Sequence, residues 1–515
     1  MQAVDLPRAG RREWVGLAVI ALPCMLYAMD LTVLNLALPQ LSADLRPSST
    51  QLLWIVDIYG FLAAGLLVTM GTLGDRIGRR RLLLMGAAAF GAVSVLAAFS
   101  PTAGWLIASR ALLGVAGATL APSTLSLIRN MFHDPGQRAV AVGVWISSFS
   151  AGGAIGPLLG GLLLESFWWG SVFLIAVPPM VLLLALGPVL LPEFRDPGAG
   201  RLDLVSAGLS LTAVLALIYG LKELAQEGPG WTPPLAVLAG LAVGLVFWRR
   251  QRRLADPLID LRLFGNRAFS AALAANTLDF FVSFGGLLFV AQYLQLVLGL
   301  SPIQAGLWLL PSSIGLIVGS MLAPVAVRRA RPWQVMAAGL VLGAVGFGLL
   351  TQVGAGSGLA WLVGGSVLFS VGLAPLTTLS TDLMIGVAPA DRAGAASAVA
   401  ETTSEFGGAL GIAVLGSIGT AVYRGQVAET LPAGVPPAAA DTARDTLGGA
   451  VALAGQLPER LGAPVLDAAR EAFTAGLHLV FAVNAGLALG IAALVVIVLR
   501  KAPTGAVDEP DHPNR

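Results

Sequence analysis

The chain has 515 residues, of which 56% are hydrophobic and 12% are charged, and its mean hydropathy is +0.81. Soluble domains carry about 25% charged residues, so much of this apolar surface must face a lipid bilayer. The net charge of +2 gives no sign of nucleic-acid binding. The single cysteine, Cys24, excludes an intrachain disulfide, and the three histidines show no ligand spacing, so we expect no metal, no cofactor and no enzymatic activity.

Fourteen apolar runs of about 20 residues have the length of membrane-spanning helices. Strands of a β-barrel would alternate with a period of two, which these runs do not, so we predict an all-α integral membrane fold. The first run lacks a small-residue cleavage site and is interpreted as an uncleaved helix rather than a signal peptide. The predicted spans are 14–39, 52–73, 82–100, 104–131, 138–163, 170–191, 202–221, 234–249, 268–298, 303–327, 333–352, 358–386, 393–423 and 473–499.

The basic residues between the spans predict the orientation. With the N-terminus inside, cytoplasmic segments carry 24 of the 31 Lys and Arg residues and exterior segments carry 6. The positive-inside rule therefore places both termini in the cytoplasm.

One connection is long. Residues 424–472 join the last two spans on the predicted exterior face, and helical spacing recurs near 438–454 and 464–474. Pro458 and Pro464 are expected to break the chain between these segments. We predict a small exterior helical hairpin, with a flexible linker as the alternative.

The loop between the second and third spans combines glycines, an aspartate and arginines at fixed spacing. Glycine permits a tight turn, and Asp75 can cap a helix or pair with arginine. The positive-inside rule alone would explain the arginines but not this spacing. The residues that form the pattern are Gly71, Gly74, Asp75, Arg76, Gly78, Arg79 and Arg80.

A second pattern lies in the fifth span, where small residues surround a proline. Small residues at this spacing allow close helix packing, and the proline kinks the helix at a fixed point. The residues are Gly152, Gly156, Pro157, Gly160 and Gly161.

The first loop pattern resembles the G-x-L-x-D-R-x-G-R-R signature of the major facilitator superfamily, and the second resembles the element associated with its antiporters. With fourteen spans, the chain is similar to the drug:proton antiporters of the QacA and SmvA type, which export quaternary ammonium compounds and methyl viologen. The segments 54–59, 389–397 and 401–407 share this likeness. Part of that group has an acidic residue in the tenth span, which 303–327 lacks here.

The resemblance implies two six-helix halves with a site between them near the midplane. The expected halves are residues 1–200 and 263–515, the second including the hairpin loop 424–472. Residues 201–262 would be an inserted pair of helices. The charged loop would latch one conformation of the moving halves.

Ionisable residues within spans are candidates for function because their burial is costly. Asp30 and Arg110 lie at similar depth in the first and fourth spans and can form a pair. The pair is either a static structural contact or a carboxylate that alternates between proton, arginine and substrate.

Glu401 and Glu405 are four residues apart and share one face of the thirteenth span. Two carboxylates so close in a low dielectric cannot both ionise cheaply, so at least one is expected to hold a proton. Together with Asp30 and Arg110, they are the predicted coupling residues.

Asp279, Phe280 and Phe281 form a predicted site for an organic cation through charge and cation–π attraction, unless the aromatic rings face lipid. Asp57 has either a vestibule role in substrate binding or a water-exposed position without function. Asp382, near the cytoplasmic end of the twelfth span, is expected to act as a gate or cap.

The predicted function is proton-coupled export of lipophilic cationic drugs, dyes or biocides by alternating access. Protons are the expected coupling ion, since no ATP-binding motif is present. We expect a monomer in a bacterial cytoplasmic membrane. The alternatives are a transporter of a native metabolite, lipid or peptide with the same fold, and a sensor that no longer transports.

Overall fold

The structure is a computed structural model that describes residues 8–195, 203–227, 230–254, 257, 261–354, 358–386, 393–432 and 434–500. Within these ranges the chain forms eighteen α-helices, one short 3₁₀ turn and one π turn, and no β-strand. The all-α prediction is therefore confirmed.

The N-terminal bundle comprises eight helices. The predicted fourth span is divided between α4 and α5, and the sixth between α7 and α8, because the backbone departs from α-helical hydrogen bonding at residues 118–119 and 175–176. The helices are α1 (Arg11–Leu45), α2 (Ser49–Ile77), α3 (Arg79–Ala98), α4 (Ala103–Gly117), α5 (Leu120–Met131), α6 (Pro135–Ser166), α7 (Ser171–Leu174) and α8 (Val177–Leu190).

Two helices follow as a pair, α9 (Leu204–Glu227) and α10 (Thr232–Gln251). They pack against each other, and α9 also contacts α2 and α15 (Ala393–Thr430). The pair is tied at one end by Asp203, which accepts a hydrogen bond from Arg250 at 2.9 Å. Burial alone would raise the pKa of Asp203, but hydrogen bonds from Ser206 and Arg250 bring it below its usual value.

The C-terminal bundle contains the remaining helices. The 3₁₀ turn Leu263–Gly265 precedes it, and the π turn Tyr293–Val297 continues its first helix. The helices are α11 (Arg267–Gln292), α12 (Pro302–Ala326), α13 (Pro332–Leu350), α14 (Gly358–Gly386), α15, α16 (Pro437–Asp445), α17 (Leu447–Ala454) and α18 (Glu459–Leu499).

Thirteen helical segments of the described chain are long and apolar enough to cross a membrane. The predicted seventh span, 202–221, corresponds to a shorter apolar stretch, Leu204–Gly220. The protein is thus a multi-pass membrane protein, and the fourteen predicted spans all coincide with helices.

The hairpin region differs from the sequence prediction. Its helices are α16 and α17, while the predicted segment 464–474 is part of α18, which begins at Glu459 and runs to Leu499. Pro458 is the N-cap of α18, whereas Pro464 lies inside the helix and does not break it. Proline at this point removes one hydrogen bond, to the carbonyl of the exposed Arg460, where water can replace it.

We call the end of the molecule that carries α16 and α17 the hairpin side. Here the two bundles meet: the Ser301 hydroxyl donates to Glu165 at 2.6 Å, and the Gln295 amide donates to the Leu36 carbonyl at 3.1 Å. A Cβ on Gly448 of α17 would lie 2.7 Å from the Cβ of Ser42 on α1. The contacts hold the bundles together on this side.

Candidate functional site

Asp30 and Arg110 form a salt bridge between α1 and α4, as their predicted depth allowed. Arg110 is almost fully buried, with 1% of its surface exposed. Its Nε donates to the carbonyl of Ile55 at 3.1 Å, and its guanidinium lies 4.6 Å above the ring of Tyr59. A buried cation is tolerable only with such partners, and α1 and α2 together supply them.

The Asp30 side of this pair borders a cavity of about 20 Å³ inside the N-terminal bundle. Phe90 of α3 and Phe173 of α7 line it with apolar surface. The space is that of about one water molecule. Asp30 thus has one side against Arg110 and another against a small cavity.

A second cavity of about 20 Å³ lies where the bundles meet. Asp57 of α2 and Glu405 of α15 both line it, so each bundle contributes one carboxylate. Phe280 and Phe284 of α11 complete the wall, with their rings stacked at 5.9 Å. This cavity, which we call the interface cavity, combines two acids with aromatic surface, the combination that an organic cation requires.

Glu401 lies one turn from Glu405 on α15, and the two interact electrostatically. Across the interface, Glu401 interacts with Cys24 of α1 and Glu405 with Tyr27 of the same helix. The predicted acidic pair therefore faces the N-terminal bundle, although Glu401 is not among the residues that line the interface cavity.

Asp279 is directed elsewhere. It is 3% exposed, and Thr377 of α14 donates a hydrogen bond to it at 2.5 Å. The structure brings Phe280 into the wall of the interface cavity. The backbone of Phe281 lies close to Gly411 of α15, and its partly buried side chain packs against the hydrophobic core. The three residues of this predicted site thus face different neighbours, and the role of Asp279 in substrate binding stays a prediction.

The loop between α2 and α3 is held within the N-terminal bundle. Asp75 forms a salt bridge with Arg79 at 2.6 Å, and Arg80 lies 3.6 Å from Glu193, just beyond α8. Gly78 has a φ of +113°, where a side chain would be strained and would also meet Glu193. The spacing of glycines and charged residues in the motif therefore fits a tight turn that packs against the end of α8.

The other members of that loop take different positions. Gly74 is buried, Gly71 is partly exposed and Arg76 points outward. Asp382 near the end of α14 is also exposed, which suits a gate or cap better than a binding residue. Both roles remain predictions.

The small residues of α6 face two neighbours. A Cβ on Gly152 would lie 2.1 Å from the carbonyl oxygen of Met25, and one on Gly161 would lie 2.7 Å from the Cα of Ile303. Gly156 and Gly160 similarly face α1, and the carbonyl of Pro157 faces Gly306 of α12. The motif thus permits backbone contact with α1 in its own bundle and with α12 in the other.

Sequence reasoning assigned no role to Tyr27 or Tyr59. Two of the chain's five tyrosines lie within three residues of a membrane-embedded acid, Tyr27 before Asp30 and Tyr59 after Asp57. This proximity could have identified them from the sequence, because a tyrosine inside a span has a hydroxyl that needs a hydrogen-bond partner. Among the described residues, no group of three or more His, Cys, Asp or Glu side chains could hold a metal ion.

Comparison with known proteins agrees with this architecture. The sequence model of the Major Facilitator Superfamily matches residues 20–412. The chain is 45% identical over 494 residues to the multidrug efflux pump LfrA of Mycolicibacterium smegmatis, covering 96% of this chain and 98% of that protein. It is 38% identical over 465 residues to the methyl viologen resistance protein SmvA of Salmonella typhimurium, covering 90% and 93%.

Among solved structures, the fold is similar to a bacterial homologue of the human lysosomal transporter Spinster in its inward-facing and unoccupied conformation. The TM-score is 0.66 at 18% identity, and the match covers 95% of this chain and 98% of that one. At this identity the likeness shows the fold alone. The family match and the two relatives confirm the resemblance carried by the loop between α2 and α3: the chain belongs to the major facilitator superfamily.

Proposed function

We propose that the protein exports lipophilic cationic drugs, dyes or biocides in exchange for protons. The observation that carries the proposal is the interface cavity, where Asp57 and Glu405 come from opposite bundles and Phe280 and Phe284 supply aromatic surface. The multidrug efflux pump LfrA and the methyl viologen resistance protein SmvA support export of drugs, and methyl viologen is an organic cation.

The chemistry follows from competition for negative charge. An ionised carboxylate in an apolar site needs a partner, and either a proton or an organic cation provides one. Because Glu401 and Glu405 are one turn apart, the arrival of a cation favours loss of a proton from the pair. Binding of a drug cation and release of a proton are then coupled, because both ligands neutralise the same carboxylates.

Alternating access would supply the direction of transport. We place the hairpin side outside and both chain termini in the cytoplasm of a bacterial inner membrane, in accord with the distribution of arginine. The contacts between Ser301 and Glu165 and between Gln295 and the Leu36 carbonyl then close the exterior side. A cavity of about 20 Å³ holds no drug, because small-molecule sites measure about 300–1,000 Å³. The bundles, residues 1–200 and 263–515, must therefore separate during the cycle.

Transport in proteoliposomes tests the proposal. The purified protein, which we expect to work as a monomer without a cofactor, is reconstituted with an imposed pH gradient and offered tetraphenylphosphonium, a lipophilic monovalent cation. Uptake should follow the gradient and stop when a protonophore collapses it. Uptake that ignores the gradient but requires ATP would overturn the proposal.

The same vesicles define the charge of the substrate. Residues 303–327 contain no acidic residue, so α12 adds no carboxylate for a second positive charge. We therefore compare tetraphenylphosphonium with methyl viologen, a dication, at equal gradients. Faster transport of the monovalent cation would agree with the lack of a carboxylate on α12.

A further inference from the structure

Two tyrosines lie between the acids of the two bundles. Tyr27 of α1 is 4% exposed and Tyr59 of α2 is fully buried, and their ring centroids are 5.7 Å apart. Tyr59 supports the guanidinium of Arg110 on its ring, 4.6 Å away. Both Tyr27 and Tyr59 interact electrostatically with Glu405. The order in space is therefore Asp30, Arg110, the two tyrosines and Glu405.

The fold makes room for this arrangement. A Cβ on Gly117 of α4 would lie 3.0 Å from the Tyr59 hydroxyl oxygen and 3.5 Å from Cε2 of Tyr27. Because Gly117 has no side chain, both rings pack directly against the backbone of α4, two turns from Arg110. The residue that keeps the tyrosines in place belongs to the same helix as the buried cation.

The hydroxyl groups of both tyrosines are buried. The Tyr27 hydroxyl interacts with the Glu405 carboxylate as a hydrogen-bond donor, although not in the geometry of a fully formed bond. The Tyr59 hydroxyl has no hydrogen-bond partner among the described residues. A buried hydroxyl without a full hydrogen bond is costly, so a state of the cycle in which both hydroxyls bond to acceptors is favoured. The acceptor that faces them is Glu405, which becomes a stronger acceptor when it loses its proton. The other titratable groups near Glu405 are Asp57, across the interface cavity, and Glu401.

We propose that Tyr27 and Tyr59 form a hydroxyl bridge that conveys the charge state of Glu405 to the Asp30–Arg110 pair. When Glu405 is ionised, the Tyr27 hydroxyl donates to its carboxylate, and the Tyr59 hydroxyl donates to the oxygen of Tyr27. When a proton or a cationic drug neutralises Glu405, the bridge is released and Tyr59, with Arg110 on its ring, is free to shift. The tyrosines are positioning residues, and the bridge rests on the proposed function because Glu405 must exchange a proton.

The test measures protonation of Glu405 without any drug. Infrared difference spectra of the detergent-purified protein are recorded across a pH series, and the carboxylic acid band of Glu405 is assigned as the band lost in Glu405→Gln. Tyr27→Phe removes a donor to the ionised form, so the pH midpoint of this band should rise by about one unit, a tenfold change in proton affinity. Tyr59→Phe should move it in the same direction but less, since it acts through Tyr27.

A matched control is Tyr293→Phe. Tyr293 is also fully buried, with a hydroxyl that has no partner among the described residues, and it lies in the π turn near the hairpin side. Its replacement should leave the Glu405 band unmoved. An unchanged midpoint in both Tyr27→Phe and Tyr59→Phe would overturn the bridge, and so would an equal shift in all three variants. If the band shifts as expected but no pH gradient drives tetraphenylphosphonium transport, the proposed function fails and the bridge does not.

Discussion

At the scale of single residues, the site depends on how each buried charge is balanced. Arg110 has Asp30, two backbone carbonyls and an aromatic ring as partners, so its charge is fully compensated. Glu405 has no arginine or lysine among its described partners; it shares the interface cavity with another acid, Asp57. Arg110 of the N-terminal bundle is thus balanced by several partners in this structure, whereas Glu405 of the C-terminal bundle is the acid that we propose exchanges its counter-charge.

Glu405→Gln should abolish both drug-induced proton release and transport, because the neutral amide can neither lose a proton nor attract a cation. Glu401→Gln should be milder, since Glu401 is not part of the cavity wall. The measurement is proton release in weakly buffered detergent on addition of tetraphenylphosphonium, at equal protein concentration. Asp279→Asn is the matched control: this buried acid contacts Thr377 and should keep proton release, whatever its effect on substrate range. Normal release from Glu405→Gln would place the exchange elsewhere.

Residue depth predicted the Asp30–Arg110 pair correctly, because both helices cross the same bilayer and depth follows from helical rise. Rotation about the helix axis was not predictable in the same way. Asp279 turned towards α14, and Phe284 rather than Phe281 joined Phe280 at the interface cavity. Within a span that is apolar all round, the pattern does not indicate which face meets a neighbouring helix.

At the scale of helices, the inserted pair α9 and α10 is joined by a polar clamp. Asp203 accepts hydrogen bonds from Ser206 and Arg250, and the Gln251 amide donates to the Ser206 hydroxyl at 2.7 Å. α10 is otherwise largely exposed to lipid and packs chiefly on α9. The clamp is therefore a main polar link between α10 and the remainder of the protein.

Asp203→Asn should lower thermal stability by a modest amount, about 0.2–1 kcal/mol, because Arg250 is about one-third exposed and water screens the pair. The pKa of Asp203 lies below its usual value, so the stabilisation is present above the ordinary pKa of about 3.9 and is lost as pH falls through the lowered value. Thermal unfolding in detergent at neutral and acidic pH measures this. The variant and the parent should converge in acid.

Asp441→Asn serves as the comparison for this prediction. Asp441 pairs with Arg444 at 3.6 Å on an exposed face of α16, so its removal should change nothing measurable at either pH. A difference between parent and Asp203→Asn that persists unchanged in acid would show that the clamp does not work through its charge.

Helix boundaries show where sequence patterns stop being informative. Prolines 458 and 464 looked equivalent as helix breakers, yet one caps α18 and the other lies within it. The outcome depends on whether water can reach the carbonyl that proline leaves free, which is a property of the folded surface. The divided spans α4–α5 and α7–α8 likewise followed from packing that the continuous apolar runs did not indicate.

At the scale of the whole molecule, the hairpin joins the two bundles. α17 lies between α15 and α18 in the chain, yet its Gly448 approaches Ser42 of α1. Opening of the hairpin side must therefore separate α17 from α1. A covalent bond at this point should hold the transporter in the closed arrangement.

The double variant Ser42→Cys with Gly448→Cys should form a disulfide, since the two Cβ atoms would start at about 2.7 Å and a small shift reaches the roughly 3.8 Å that a disulfide requires. Oxidation should stop transport and a reductant should restore it. The native thiol is the buried Cys24, replaced by serine in all variants. Each single cysteine variant controls for the substitution itself, and undiminished transport by the oxidised double variant would mean that α17 travels with α1.

The Asp30–Arg110 pair also has a consequence for how the protein is made. α1 is synthesised well before α4, so Asp30 enters the membrane while Arg110 has yet to be translated. An arginine at the centre of a helix costs about 2.5–3.5 kcal/mol to insert by itself. We expect Asp30, already in the membrane, to lower that cost by pairing with Arg110 when the fourth helix inserts. Loss of Asp30 should therefore reduce membrane insertion during biogenesis, before any substrate is encountered.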